Sequence, residues 1–220
     1  MPPRTGIHEA ARRAQILRAA RQCIVAMGYE RVTVRDVAKT AGISTGTIVH
    51  YFGDKDSMLE AALLDKVQDT GITFRAALTG AQSAWEKLER LVTASLPQTE
   101  EVRDEWRLWL TFWGEVTRNE RLRVVSEKQH RRWTRFLARI ISEGCASGEF
   151  AAVDPYTTAI QLASLIDGLA IQATLQNPAL NPTQMHQICL NALRQLLYRG
   201  QAEQPQAQPL ASTTGQYKAD

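Results

Sequence analysis

The stretch from Thr33 to Lys55, TVRDVAKTAGISTGTIVHYFGDK, constrains this chain more than any other. It reads as two short helices joined by a tight turn at Ala41-Gly42-Ile43. Thr33 opens the first, with Asp36 three residues on, where a capping box places an acid. Gly42 ends it, because glycine accepts the left-handed backbone of a helix C-terminus at little cost. Ser44 caps the second through its hydroxyl. Val34, Val37 and Ala38 are expected to pack against Ile43, Ile48 and Val49. That leaves Ser44, Thr45, Gly46, Thr47, His50 and Tyr51 on the outer side of the second helix. Such a pair is the helix-turn-helix pattern, whose second helix enters the major groove while the first braces it. Short hydroxyls and a glycine permit close approach to base edges, and a threonine methyl can meet the methyl of thymine.

The rest of the chain is written at the same period. Ile16, Ala20, Ile24 and Met27 form one apolar stripe, and Gly28 closes that helix. Asp54 starts a long helix with Met58, Leu59, Ala62, Leu63 and Val67 inside. Further helices are expected over about 81–95, 101–116 and 120–146. Asp154-Pro155 and Asn181-Pro182 each pair a capping side chain with a proline at the first helical position, opening helices over about 155–176 and 182–199. No run alternates as a strand does, and no Asn-Gly or Asp-Gly hairpin turn occurs. The fold class expected is all-α, with nine or ten helices. Residues 201–220, rich in Gln, Pro, Ala, Ser and Thr, carry too few large apolar side chains to offset their ordering entropy and are expected to be disordered.

Charge is uneven along the chain. Residues 1–55 carry nine Lys and Arg against four Asp and Glu, whereas 56–200 carry sixteen against seventeen. A local basic excess is what a nucleic-acid partner requires, although a solvated helix face produces the same count. Cys23, Cys145 and Cys189 are odd in number and far apart, which argues against a disulfide framework or a zinc site and for a reducing compartment. The N-terminus lacks the apolar segment of a signal peptide. The longest apolar run, Leu162 to Leu175, is broken by Asp167 and too short to cross a bilayer. The sequence thus reads as a soluble cytoplasmic protein with no membrane partner, no metal and no cofactor. There is no HExxH, GxSxG, Walker loop or GxGxxG, so an enzyme is not expected.

Residues about 10–63 resemble the DNA-binding domain of the TetR family of bacterial transcriptional regulators. The resemblance is carried by Ile16, Ala19-Ala20, Gly28-Tyr29, Thr33 through Ala38, Ala41 through Ser44, Ile48 through Phe52, and Lys55 with Leu59. It implies a three-helix reading head over 1–55 and a helical ligand-binding and dimerisation domain over 56–200. By that resemblance Thr33, Tyr51 and Lys55 take the places of phosphate contacts, which fix register without reading sequence. Arg35, Thr45, Thr47 and His50 take places where the family touches bases, with Ser44 and Gly46 beside them. Phe52 is assigned to packing. One reading helix buries too little for specific affinity, so a homodimer on a palindromic double-stranded operator is implied.

The second domain resembles, more loosely, the choline-responsive BetI repressors, through Glu105-Trp106, Trp109, Phe112-Trp113 and Leu162 through Leu169. Its residue chemistry carries a separate reading. Trp106, Trp109 and Trp113 fall at i, i+3 and i+7 on one helix stripe, Trp133 and Phe136 add rings from the next helix, and Asp167 is an acid in an apolar segment. Aromatic faces around a carboxylate make a receptor for an organic cation, each good face contributing about 0.5–2 kcal/mol. Plain core packing, or the wall of a pocket for another small-molecule effector, accounts for the same stripe. The helices over 155–176 and 182–199 present Ile166, Leu169, Ala170 and Ala173, and Met185, Ile188, Ala192 and Leu196. By resemblance these pair with their copies in a four-helix dimer interface; alternatively they close the monomer core. Repression relieved by a ligand is the function implied, and a helical ligand carrier that binds no DNA is the alternative.

Overall fold

Side-chain caps and turn residues set where each helix begins and ends. The computed structural model describes residues 4–178 and 180–198, and among them are nine α-helices, one 3-10 turn and no strand. They are α1 (Arg4–Met27), the turn Tyr29–Arg31, α2 (Val34–Ala41), α3 (Thr45–Phe52), α4 (Lys55–Ala77) and α5 (Ala84–Ser95). The chain continues with α6 (Glu100–Val116), α7 (Glu120–Ala146), α8 (Pro155–Thr174) and α9 (Pro182–Leu197). The disorder expected of residues 201–220 lies outside the described residues.

The expected caps are in place. The Thr33 hydroxyl accepts the Asp36 amide at 3.2 Å, and the Asp36 carboxylate accepts the Thr33 amide at 3.0 Å. A bond donated by the Thr33 hydroxyl, and after it the one from the Thr33 amide, hold the Asp36 carboxyl below its ordinary range. Gly42 sits at φ 66°, ψ 37°, the left-handed turn the sequence required. Asp154 accepts the Thr157 amide at 2.9 Å, and Asn181 accepts that of Gln184 at 2.9 Å. Each cap is worth about 1 kcal/mol.

Two buried clusters organise the chain. The first joins Ile16, Leu17, Ala20 and Ile24 of α1 to Val37 and Ala38 of α2, Ile48 of α3 and Met58 through Val67 of α4. Leu108 and Phe112 of α6 and Leu122 of α7 complete it. The second joins α5, α7, α8 and α9, with Trp106 from α6. Packing thus carries the first unit past residue 55 and into α4, beyond the boundary the sequence suggested, because Met58, Leu59, Ala62, Leu63 and Val67 spend their apolar stripe on α1. α6 serves both clusters, and Trp109 and Trp113 touch each. Gly144 lets the Phe150 ring lie against α7; a Cβ there would sit 2.2 Å from the ring.

The apolar positions of α8 and α9 divide between two uses. Ile166, Leu169, Ala170 and Met185 are buried within the chain's own core, so four residues expected to face a partner subunit do not reach the surface. The reason is that α8 packs on α7, α6 and α9, which consumes its most apolar stripe. Ile188 is exposed, while Ala173, Ala192 and Leu196 are half-buried. Tyr156, Ile160 and Leu175 are exposed as well, so α8 and α9 keep a second, outward apolar edge. No helix is long and apolar enough to cross a membrane among the described residues.

Candidate nucleic-acid interface and effector cavity

The outer face of the helix-turn-helix is polar because its inner face is fully used. Ile48 is buried and anchors α3 on the first core, with Tyr51 and Phe52 packed partly against the same cluster. One turn of the helix away stand Thr45, Gly46 and His50, all exposed, with Thr47 half-buried. Ser44 caps α3 by accepting the Thr47 amide at 3.1 Å, and its hydroxyl lies 2.9 Å from that of Thr47. Thr33 and Arg35 are exposed at the start of α2. The Lys55 ammonium donates to the Glu30 carbonyl at 2.8 Å, which pins the start of α4 to the 3-10 turn. An ammonium has three donors, so others remain for an anion.

Two features of this face differ from the sequence reading. Val49 was expected in the core and is half exposed, at 51%. In an eight-residue helix anchored through Ile48 and Phe52, position 49 is turned about 100° from 48 and falls on the outer side. A concave surface, lined by His8, Arg12, Gln15 and Arg18 of α1 with His50 and Tyr51 of α3, also adjoins the helix. The α1 residues escaped the sequence reading because they lie far from α3 along the chain. Arg13 stacks its guanidinium over Phe52, 5.2 Å from the ring centre, and so supports the packing role given to that ring. At Gly46 a Cβ would meet nothing nearer than the Ser44 hydroxyl at 3.7 Å, so the fold does not demand glycine there.

The second site is a partly open cavity of about 90 Å³ lined by α4, α5, α6, α7 and α8. Trp106, Trp109, Trp113, Trp133 and Asp167, singled out from the sequence, all line it. Phe136 does not; it packs beside Trp133 with ring centres 5.9 Å apart. Phe74 of α4, Glu105 and Phe112 of α6 and His130 of α7 line it and were not among the expected ligand residues. Phe74 stacks on Trp133 at 4.5 Å and 24°, closing one side. Its signal was absent from the sequence because a lone Phe on a long helix has no local partner.

Electrostatically the cavity is acidic. It is lined by the carboxylates of Glu105 and Asp167, and among the described residues no lysine or arginine lines it. Glu105 is already matched, by the buried Lys66 of α4 at 2.9 Å. Burial pushes the Asp167 carboxyl up to about 6, and the charge of His130 opposes that shift. Around these stand the faces and edges of four indoles and two phenyl rings. Trp109 and Trp113 lie 5.8 Å apart at 35°, and Trp106 meets Trp113 edge-on at 6.0 Å. The arrangement favours a small cation over a neutral or anionic guest, by cation–π attraction and by one carboxylate that has no lysine or arginine beside it among the described lining residues.

Comparison with known proteins agrees in both halves. Residues 16–62 match the family of bacterial regulatory proteins named tetR, and residues 84–198 match the C-terminal domain of the BetI-type transcriptional repressors. The HTH-type transcriptional regulator BetI of Burkholderia mallei is 32% identical over 200 residues, covering 89% of this chain and 97% of that protein. A structure described as a transcriptional regulator of Saccharomonospora viridis in complex with choline superposes with a TM-score of 0.78 at 33% identity, over 84% of this chain and 96% of that one. A TetR-family regulator from Rhodococcus sp. gives a TM-score of 0.72 at 26% identity, over 86% and 99% of the two chains.

Proposed function

The chain belongs to the TetR family of bacterial regulatory proteins, with a C-terminal domain of the BetI type, and on that premise we propose that it is a homodimeric repressor released from a palindromic operator by a small organic cation. It is a DNA-binding transcriptional regulator and not an enzyme, as its relatives are. The observation that carries the ligand proposal is the acidic, aromatic cavity without lysine or arginine. Choline is the first candidate, since the S. viridis protein holds it and is 33% identical.

In this reading Thr33, Tyr51 and Lys55 hold phosphates, while Arg35, Thr45, Thr47 and His50 meet base edges beside Ser44 and Gly46. Val49 joins them as an apolar contact of the kind a thymine methyl offers. The dimer is supported by the exposed apolar edge of α8 and α9, on which Ile160, Leu175 and Ile188 stand. The effector binds among Trp106, Trp109, Trp113, Trp133 and Asp167. It shifts the dimer toward a form whose two α3 helices no longer match successive major grooves, about 34 Å apart. α4 is the lever, because it carries Met58–Val67 in the first core and Phe74 in the cavity wall. A hundredfold drop in operator affinity needs about 2.7 kcal/mol of coupling. Such a protein works in the cytoplasm, where its operator is.

The test is selection of random duplex DNA by the purified protein at two salt concentrations, followed by choline titration of the selected complex. A palindromic winner, binding that weakens steeply with salt, and release by choline are expected. Salt-insensitive or absent DNA binding, with choline still quenching tryptophan fluorescence, would instead make the chain a helical ligand carrier.

A further inference from the structure

Among the described residues that line the cavity, one carries a buried polar side-chain atom without a hydrogen-bond partner. The indole N–H of Trp106 donates to the Ser95 carbonyl at 2.7 Å. The indole N–H of Trp113, a residue lining the same cavity, is buried and has no hydrogen-bond partner. Trp113 is wedged between Trp106, Trp109 and His130, with ring centres 6.0, 5.8 and 6.4 Å away, so its ring has little freedom to turn toward another acceptor. A buried donor without a partner is costly and rare in folded proteins. An indole nitrogen can only donate, so what it lacks is an acceptor atom.

We infer that Trp113 is a specificity-determining residue of the effector site, its N–H donating to a neutral oxygen carried by the cationic ligand, so that the cavity selects an oxygen-bearing quaternary ammonium over a plain alkylammonium of the same size. This rests on the cation reading of the cavity given above. The two demands are separate: the ring faces and Asp167 answer the positive charge, and the Trp113 N–H answers the oxygen. The oxygen is neutral because a carboxylate in its place would meet Asp167, which has no lysine or arginine among the described lining residues to offset it, Glu105 being already paired with Lys66. A hydroxyl or an ether oxygen meets both requirements.

The test compares choline with propyltrimethylammonium, which replaces the hydroxyl by a methyl and keeps the charge and nearly the shape. By calorimetry the wild-type protein is expected to bind choline about fivefold to tenfold more tightly, the worth of one buried hydrogen bond. In Trp113→Phe the ratio is expected to fall to near one, with propyltrimethylammonium still binding, which also shows that the variant is folded. A second measurement needs no substitution. The chain has five tryptophans, and in the 15N-labelled protein choline is expected to shift one of their indole N–H resonances downfield where propyltrimethylammonium does not. Equal wild-type affinities, or a choline preference that survives in Trp113→Phe, would overturn the assignment to Trp113 and leave the cation reading intact. Failure of both compounds to bind the wild type would remove the cation reading and this inference with it.

Discussion

The helix-turn-helix and the effector cavity are built in opposite ways from the same kind of helix. In the first, a filled core leaves a polar outer face: Ile48 and Val37 are buried, and Ser44, Thr45, Gly46 and Thr47, proposed to face DNA, sit at the capped start of α3. In the second, five helices leave a space at their centre, and function lies in how that space is lined. An outward face tolerates changes of chemistry without loss of fold. An inward one does not, since each lining group is also part of the packing. The two meet on α6, where Leu108 and Phe112 enter the first core, Trp106 enters the second, and Trp109 and Trp113 touch both. In the proposed mechanism a ligand acts on the reading head through these shared elements of α4 and α6.

The largest effect expected comes from breaking the anchor of the outward face. Ile48 is 1% exposed, and Ile48→Ala removes buried apolar volume worth about 2–5 kcal/mol. Operator affinity should fall more than tenfold, while choline binding, measured by tryptophan quenching, stays within about twofold because no part of Ile48 lines the cavity. If choline binding collapses as well, the two units do not pack independently enough for the comparison to stand.

Asp167→Asn tests the inward face. Loss of the one cavity carboxylate that is not ion-paired to a lysine or arginine should weaken choline binding about tenfold at neutral pH, within the range of a buried charge contact. Wild-type affinity should fall as pH drops through about 6, where the Asp167 carboxyl takes up its proton, and this slope should be missing in the variant. Glu105, held by Lys66, and His130 face the same space and remain in both proteins. Stability moves the other way. A carboxyl raised from 3.8 to about 6 holds its proton more tightly in the folded chain, so its contribution is fully present below pH 3.8 and is lost as pH rises through 6. The ionised group therefore costs up to about 3 kcal/mol at neutral pH, and Asp167→Asn should melt higher than wild type above pH 6. Lower affinity with higher stability is the signature of a group kept for binding.

How much of each region could be read from the sequence follows from the same contrast. Thr33, Gly42, Ser44 and Ile48 act within one or two turns of chain, so their capping and packing roles were legible residue by residue. Val49 was misplaced because an eight-residue helix can be rotated by one position without breaking its apolar pattern. The tryptophan stripe on α6 was visible, but whether it filled a core or lined a space depended on α4 and α7, far along the chain. Phe74, His130 and the Lys66–Glu105 pair exist as a site only after folding. Ile166, Leu169, Ala170 and Met185 turn into the chain's own core, the second of the two uses the sequence left open, since a helix buried on several sides has more than one apolar face to offer.

The link between the regions gives the next effect. Lys66 sits on α4, is buried, and pairs with Glu105 in the cavity wall at 2.9 Å. Lys66→Met keeps an apolar stem of similar length but removes that connection. Choline should still bind, and the unliganded protein should still hold its operator. The ratio of operator affinities with and without choline should shrink by about fivefold to tenfold, a coupling change of about 1 kcal/mol or slightly more. An unchanged ratio would place the coupling in the aromatic contacts of α6 instead.

The smallest change in stability separates the two faces most cleanly. Gly46 lies within α3, and a methyl there meets no atom closer than 3.7 Å. Replacing this first-turn glycine by alanine removes backbone freedom from the unfolded chain, so Gly46→Ala should stabilise the protein by about 0.4–1 kcal/mol. If glycine is present so that α3 can lie close to base edges, the same methyl should weaken operator binding several-fold and leave choline affinity untouched. A more stable protein that binds its operator less well would show that the outward face is shaped for a partner at some cost to its own fold. Tighter or unchanged operator binding would mean that α3 lies farther from the bases at this position, and that Thr45, Thr47 and Val49 carry the contacts alone.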